Sequence, residues 1–174
     1  MKHVQTVVRE AAPAGPGVRR FVLMDPDGWP LPRAKPGAHI DLRLPGGLVR
    51  AYSLCGDPAQ ADRYVVAVKR EKDGRGGSAC VHDRLAVGYA LGVSLPRCTF
   101  PLAPDATEHV FVAGGIGITP IYGMALALAD VGARFRLLYG VKTRRDLALA
   151  AHRAHPHRLL APARQPPGAA GRRP

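Results

Sequence analysis

Cysteine, aromatic residues and negative charge are all scarce in this chain, and each shortage removes a class of protein. Only Cys55, Cys80 and Cys98 occur, far apart and with no Cys-x-x-Cys pair. That spacing excludes a disulfide-stapled scaffold and argues against a zinc site or an iron-sulfur cluster built from these residues. A small buried side chain is the ordinary role for each thiol, and the usage suits a reducing, cytoplasmic setting. Asp and Glu number 13 against 25 Lys and Arg, for a formal charge of +12. Such an excess invites an acidic partner. The positives are scattered, however, and without interleaved aromatics nucleic acid is not the expected one. A signal peptide is missing too, since Met1-Lys2-His3-Val4-Gln5 has no apolar core. Residues 110–129 carry no charge and are long enough to span a bilayer. Their glycines and the central Pro120 read instead as a buried strand, a tight loop and a packed helix, so no membrane partner is expected.

What is present describes a globular chain. With 174 residues, 47% hydrophobic and 22% charged, it can bury a real core as one domain or two small ones. Residues 4–9 and 18–23 have strand character and are separated by the turn-forming run 11–17. Residues 39–44 alternate polar with apolar, Pro45-Gly46-Gly47 turns, and 48–54 returns as the next strand. A further strand at 63–70, a short helix over 78–85 and a strand over 87–96 complete a set of short strands with frequent turns, the pattern of a small antiparallel barrel. The character then changes. Residues 109–113 are a nearly unbroken apolar run, as in a strand covered on both faces. A glycine turn follows, then a helix with Thr119 as cap and Pro120 at its first position. Ile121, Met124, Ala125 and Leu128 give that helix an apolar face, Gly132 stops it, and 135–140 is a second strand. One strand-helix-strand unit of this kind opens a nucleotide-binding α/β lobe. Its turn reads Gly-x-Gly-x-x-Pro, with no Gly-Lys-Ser/Thr, and so meets neither the dinucleotide fingerprint nor the Walker loop.

The stretch 50–78 carries the chemistry. Arg50 can grip a phosphate with two prongs, Tyr52 offers a flat apolar face with a polar tip, and Ser53 can donate or accept a hydrogen bond. Gly76 and Gly77 let a backbone approach an anion and leave N–H groups to meet it, a preference that a helix starting after Ser78 strengthens. Singly, these are common features of turns and half-exposed strands. Together, Arg50-Ala51-Tyr52-Ser53-Leu54, Ala67-Val68-Lys69-Arg70, Gly74-Arg75-Gly76-Gly77-Ser78 and Gly114-Gly115-Ile116-Gly117-Ile118-Thr119-Pro120, in this order, resemble the phthalate dioxygenase reductase and vanillate O-demethylase reductase family. That family lies within the ferredoxin-NADP reductase group, and the resemblance covers roughly the first 145 residues.

The resemblance implies a β barrel plus α/β architecture: a six-stranded antiparallel flavin-binding barrel over 1–104, an incomplete nucleotide-binding α/β lobe over 105–149, and a basic Pro/Ala/Arg tail, disordered, over 150–174. It implies a flavin-dependent oxidoreductase that passes electrons from NAD(P)H through FMN towards an iron-sulfur centre and a partner oxygenase or demethylase component. FMN rather than FAD follows from the family's use of the glycine loop as a terminal phosphate site. Arg50, Arg75, Gly76, Gly77 and Ser78 are then assigned to the phosphate. Tyr52, Ser53 and Thr119 are assigned to the flavin ring, with Ala51 in the same strand segment. Ala67, Val68 and Lys69 lie along the ribityl chain or phosphate, and Gly115 and Gly117 sit under the nicotinamide and pyrophosphate. No residue is marked as a general acid or base, and none as a metal ligand. His39, His82 and His109 read as ordinary surface or strand-end histidines, and His152, His155 and His157 have no carboxylate or cysteine near them to complete a metal site. The family continues with further strands of the nicotinamide domain and an iron-sulfur domain that this chain does not show, so a C-terminal truncation and impaired activity are expected. The alternative, from composition, is a non-catalytic basic module for nucleic acid or another acidic partner.

Overall fold

Strand alternation builds most of the molecule. The computed structural model describes residues 2–149 and 161–162. The first part contains β1 (His3–Gly15), β2 (Val18–Met24), β3 (His39–Arg43), β4 (Val49–Ser53), β5 (Arg63–Lys69), α1 (Gly77–Arg84) and β6 (Ala90–Ser94). The second contains β7 (His109–Gly114), α2 (Ile118–Asp130), β8 (Phe135–Gly140) and β9 (Ala161–Pro162). Apart from Ala161 and Pro162, the expected tail of 150–174, with His152, His155 and His157, lies outside the described residues.

The first six strands form one antiparallel sheet in the order β4-β3-β6-β1-β2-β5. The expected barrel is not there: the sheet is open, with β4 and β5 as its two edges. Closure would need a ladder between those edges, and the only pairing is an isolated bridge, Leu54 to Val66, extended by the Cys55 amide donating to the Val65 carbonyl at 2.8 Å. β4 has ended by then, and at Arg50 its neighbour is the start of α1 rather than β5. β1 is also longer than its sequence suggests and runs through Pro13. Beyond Val7 it has lost β6 as a partner, so a residue without an N–H is tolerated on its free edge.

Apolar residues at alternate positions give this sheet two buried faces. Val8, Phe21, Leu23, Ile40, Leu42, Val66, Val68 and Val93 fill the inner one, with Val81 and Leu85 of α1 against them. The opposite face of β2 and β5 contributes Val18, Val22, Val65 and Ala67 to a second core, shared with Phe111, Ile118, Ile121, Met124, Leu137 and Tyr139. This accounts for the continuous apolar run Tyr64-Val65-Val66-Ala67-Val68, every residue of which is buried.

In the second part β7 and β8 pair in parallel, in the register His109 to Phe135 through Gly114 to Gly140, with α2 as the crossover, and β9 adds a short parallel partner to β8. The Thr119 cap is corrected by the structure. α2 begins at Ile118 with Gly117 as its N-cap and no side-chain cap, because a one-turn 3-10 segment, Gly115–Gly117, runs straight into it. Gly132 does end the helix, at φ +65°, its amide donating to the Ala129 carbonyl. Among the described residues no helix is long and apolar enough to cross a membrane.

Two buried acids set an alkaline limit on stability. Cys55 is 2% exposed and donates to the Val65 carbonyl, and burial pushes its thiol up from 9.0 to about 12. Tyr64 donates to the Pro32 carbonyl, and burial pushes its phenol up from 10.0 to about 12. Both groups are neutral when protonated and ionise earlier in the unfolded chain. Their stabilisation is therefore fully present below pH 9 and is lost as pH rises through 9 to 12. The urea midpoint should stay flat from neutrality to the lower end of that window and then fall, and Tyr64→Phe should reduce the part of the fall above pH 10.

Candidate functional site

Strand register places Arg50 and Tyr52 on one face of β4, opposite Leu42 and Ile40 of β3. Both are half-buried, Ser53 is half-buried on the other face, and Ala51 is exposed. Arg50 lies along the first residue of α1. A Cβ on Gly77 would come within 2.6 Å of Arg50 Cγ and 2.7 Å of its Nε, so a side chain there would have to push the arginine aside. Beyond that contact the guanidinium turns onto backbone, Nη2 donating to the Arg75 carbonyl and Nη1 to the Val49 carbonyl, both at 2.9 Å. Neither bond neutralises its charge.

α1 starts from Gly76 in the left-handed region, at φ +77°, with no side-chain cap. The leading amides of a helix have no intrahelical acceptor, and here they open beside an unneutralised guanidinium. Ser78 does not cap the helix. Its Oγ accepts the Glu71 amide at 3.0 Å and closes the 71–78 loop. Tyr52 packs at the margin of the inner core together with Cys80 of α1. Burial raises its phenol pKa, Arg50 acting to lower it and Cys80 to raise it, so the ring is neutral at ordinary pH.

The remaining expected residues are disposed differently. The Ala67 and Val68 side chains are buried in opposite cores, and the Val68 carbonyl is held by His82 Nε2 at 2.8 Å. Lys69 pairs with Glu71 at 3.8 Å. Arg70 grips Asp83 with both terminal nitrogens, at 2.5 and 3.0 Å, and holds its carboxyl below the usual range. Arg75 is exposed. In the second part, Thr119 is buried and donates from Oγ1 to the Ile116 carbonyl at 3.0 Å. Gly115 and Gly117 are exposed, and a Cβ on either would meet nothing within 4 Å.

Arg50, Arg75, Gly76 and Gly77 are thus brought together, with Tyr52 beside α1. Gly115, Gly117 and Thr119 form a second cluster, which touches the first part where the turn meets β5. Two residues escaped the sequence reading. Tyr139 donates from its hydroxyl to the Gly115 carbonyl at 2.8 Å and so pins the glycine turn, and the Ala148 amide donates back to that hydroxyl at 3.2 Å. A tyrosine at the end of an apolar strand, next to Gly140, was the available signal. Gly123 has no sequence signal: a Cβ there would lie 3.1 Å from the Leu54 carbonyl and 3.3 Å from that of Gly56, so α2 rests on the backbone just after β4. A shallow cleft also lies among Pro32, Lys35, Gly37, Gly56, Tyr64 and Gly123, and none of the expected site residues lines it.

No family model matches the chain. Among curated proteins it is 50% identical over 120 residues to phthalate dioxygenase reductase of Burkholderia cepacia, covering 68% of this chain and 37% of that protein. It is 45% identical over 113 residues to vanillate O-demethylase oxidoreductase of a Pseudomonas species, covering 65% and 36%. A solved phthalate dioxygenase reductase, described as a modular structure for electron transfer from pyridine nucleotides to [2Fe-2S], superimposes with a TM-score of 0.84 at 40% identity, over 86% of this chain and 47% of that one. The chain therefore spans well under half the length of these curated relatives.

The contact between residues 50 and 77 can be measured directly. Gly77→Ala should destabilise the protein by about 1–3 kcal/mol through overpacking, while in an Arg50→Ala background the same change should cost less than about 0.5 kcal/mol. Urea denaturation of the four proteins of this cycle tests it, and equal costs in both backgrounds would show that the two residues do not press on each other.

Proposed function

Because the chain is homologous to the phthalate dioxygenase reductase and vanillate O-demethylase reductase family, we propose that it binds FMN where β4 meets the start of α1. It would there form the flavin-holding part of an NAD(P)H-dependent oxidoreductase. The observation that carries this reading is Arg50 laid over Gly77 at an uncapped helix start. These residues fit a terminal phosphate. A guanidinium bonded only to carbonyls keeps its full charge, and the first amides of α1 add donors and the favourable end of the helix dipole.

Arg50, Arg75, Gly76, Gly77 and Ser78 would hold the phosphate, with Tyr52 and Ser53 flanking the ring. Ala51 belongs to the same segment, and Ala67, Val68 and Lys69 contribute backbone or, at Lys69, the ammonium. Gly115 and Gly117 leave open space for a nicotinamide nucleotide, and Thr119, tied to Ile116, keeps their turn in shape. When bound, FMN supplies the exchange between two-electron and one-electron chemistry, and the protein supplies position and electrostatics. Residues 1–104 are the flavin-holding unit on this reading and 105–149 part of the nicotinamide-facing one. Electrons taken from NAD(P)H are destined for an iron-sulfur centre and, beyond it, a terminal oxygenase or demethylase component. Three free thiols suit a cytoplasmic setting.

The test is a fluorescence titration of the purified chain with FMN, FAD and riboflavin. FMN should bind most tightly. Arg50→Ala should weaken FMN by about 10- to 100-fold, the worth of a charge-assisted hydrogen bond, and leave riboflavin unchanged. Equal affinity of the parent for FMN and riboflavin would rule out the phosphate site.

A further inference from the structure

α1 is too short to place itself. An isolated helix of eight residues is not stable in water, and its buried anchors are Gly77 and Val81, followed by Leu85 just past its end. Val81 inside the helix, the partly buried Cys80 beside it and Leu85 just past its end press it onto the core, but apolar contact is non-directional and sets slide and rotation only weakly. Two polar contacts do fix this, and both converge on His82. Arg19 of β2 and Val68 of β5 are directly opposed across the sheet. Arg19 Nη1 donates to the His82 carbonyl at 2.7 Å, and His82 Nε2 lies 2.8 Å from the Val68 carbonyl. A carbonyl only accepts, so Nε2 carries the proton in that bond. Arg19 is itself steered by the ring of Phe21, two residues along the same face, with its guanidinium carbon 5.2 Å from the ring centroid. Residue 82 is thereby gripped by its backbone from one strand and by its side chain from the next.

We propose that His82 and Arg19 are positioning residues for the phosphate-binding start of α1. Residue 82 lies five positions after Gly77 on one rigid helix, so whatever sets the one sets the other. The bond from Nε2 to Val68 and the bond from Arg19 set the slide and rotation that bring the first amides of α1 level with Arg50. The Arg70 to Asp83 pair stands in solvent on both sides and contributes little to this register. The proposal rests on reading the start of α1 as a phosphate site, and it assigns a function to a histidine that its sequence context marks as ordinary.

The experiment compares the parent with His82→Leu, His82→Gln and Arg19→Met, each titrated with FMN and with riboflavin alongside a urea denaturation curve. Loss of one hydrogen bond that orients the site should weaken FMN by about tenfold in His82→Leu and in Arg19→Met, with riboflavin affinity unchanged. His82→Gln should recover FMN affinity, because the glutamine Nε2 sits at the same remove from Cβ and also donates. Arg19→Met keeps an unbranched apolar stem over Phe21 while removing the bond to the His82 carbonyl, and keeps the test readable should His82→Leu fail to fold. FMN affinity equal to the parent in the folded variants, equal losses for FMN and riboflavin, or no rescue by glutamine would overturn the proposal. A parent that prefers FMN no more than riboflavin would overturn the phosphate site itself, and the proposal with it, and is recognised before any variant is made.

Discussion

The absence of a side chain at residue 77 is the constraint on which the site depends. A β strand and a helix start can approach this closely only if one of them presents bare backbone, and Gly77 does so beneath the methylenes of Arg50. The arginine is then long enough to cross the helix start and bond to the Arg75 carbonyl on the loop that precedes it. Strand, loop and helix are tied by one side chain, whose charge is left without an acid.

A second close approach sets how the two parts meet. α2 lies on the carbonyls of Leu54 and Gly56 because Gly123 carries no Cβ, and this brings the turn at 115–117 towards the sheet that bears Arg50 and Tyr52. Val65 and Ala67 on the outward face of β5 then lose water to Ile118 and Ile121, burial of the sort worth about 25 cal/mol per Å². The opposite face of β7 and β8 is less well covered: Val110, Val112 and Leu138 are 55, 72 and 45% exposed. A parallel sheet ordinarily has both faces covered, and here the second core covers only one.

Much of this was readable from residues, and the parts that were not share a cause. The strands, the parallel unit and the glycine loop declare themselves through alternation, an apolar run and Gly-Gly before Ser78, which are local signals. Whether a sheet closes depends on how its two edges meet in space, and no local pattern around β4 or β5 records that they join only at the Leu54 to Val66 bridge. Thr119 before Pro120 has the spelling of a cap, yet with the 3-10 turn upstream the helix starts two residues earlier and the hydroxyl bonds to Ile116. The ion pairs of Lys69, which the resemblance places along the ribityl chain or phosphate, and of its neighbour Arg70 were not legible either. Their acidic partners Glu71 and Asp83 lie two and thirteen residues on, and a helix had to fold back to bring the second within reach.

Those ion pairs also bear on what the net positive charge is for. Arg20, Arg63, Lys69, Arg70, Arg97 and Arg136 each face a carboxylate, so these six contribute little field at a distance, and the excess of +12 rests on the other basic residues. A surface that bound a polyanion along its length would keep a row of such charges unpaired. Arg9, Arg19 and Arg50 are instead bonded to neutral carbonyls, and of these Arg50 lies at the positive end of a helix. A guanidinium beside the leading amides of a helix is the local arrangement that the proposed phosphate site calls for.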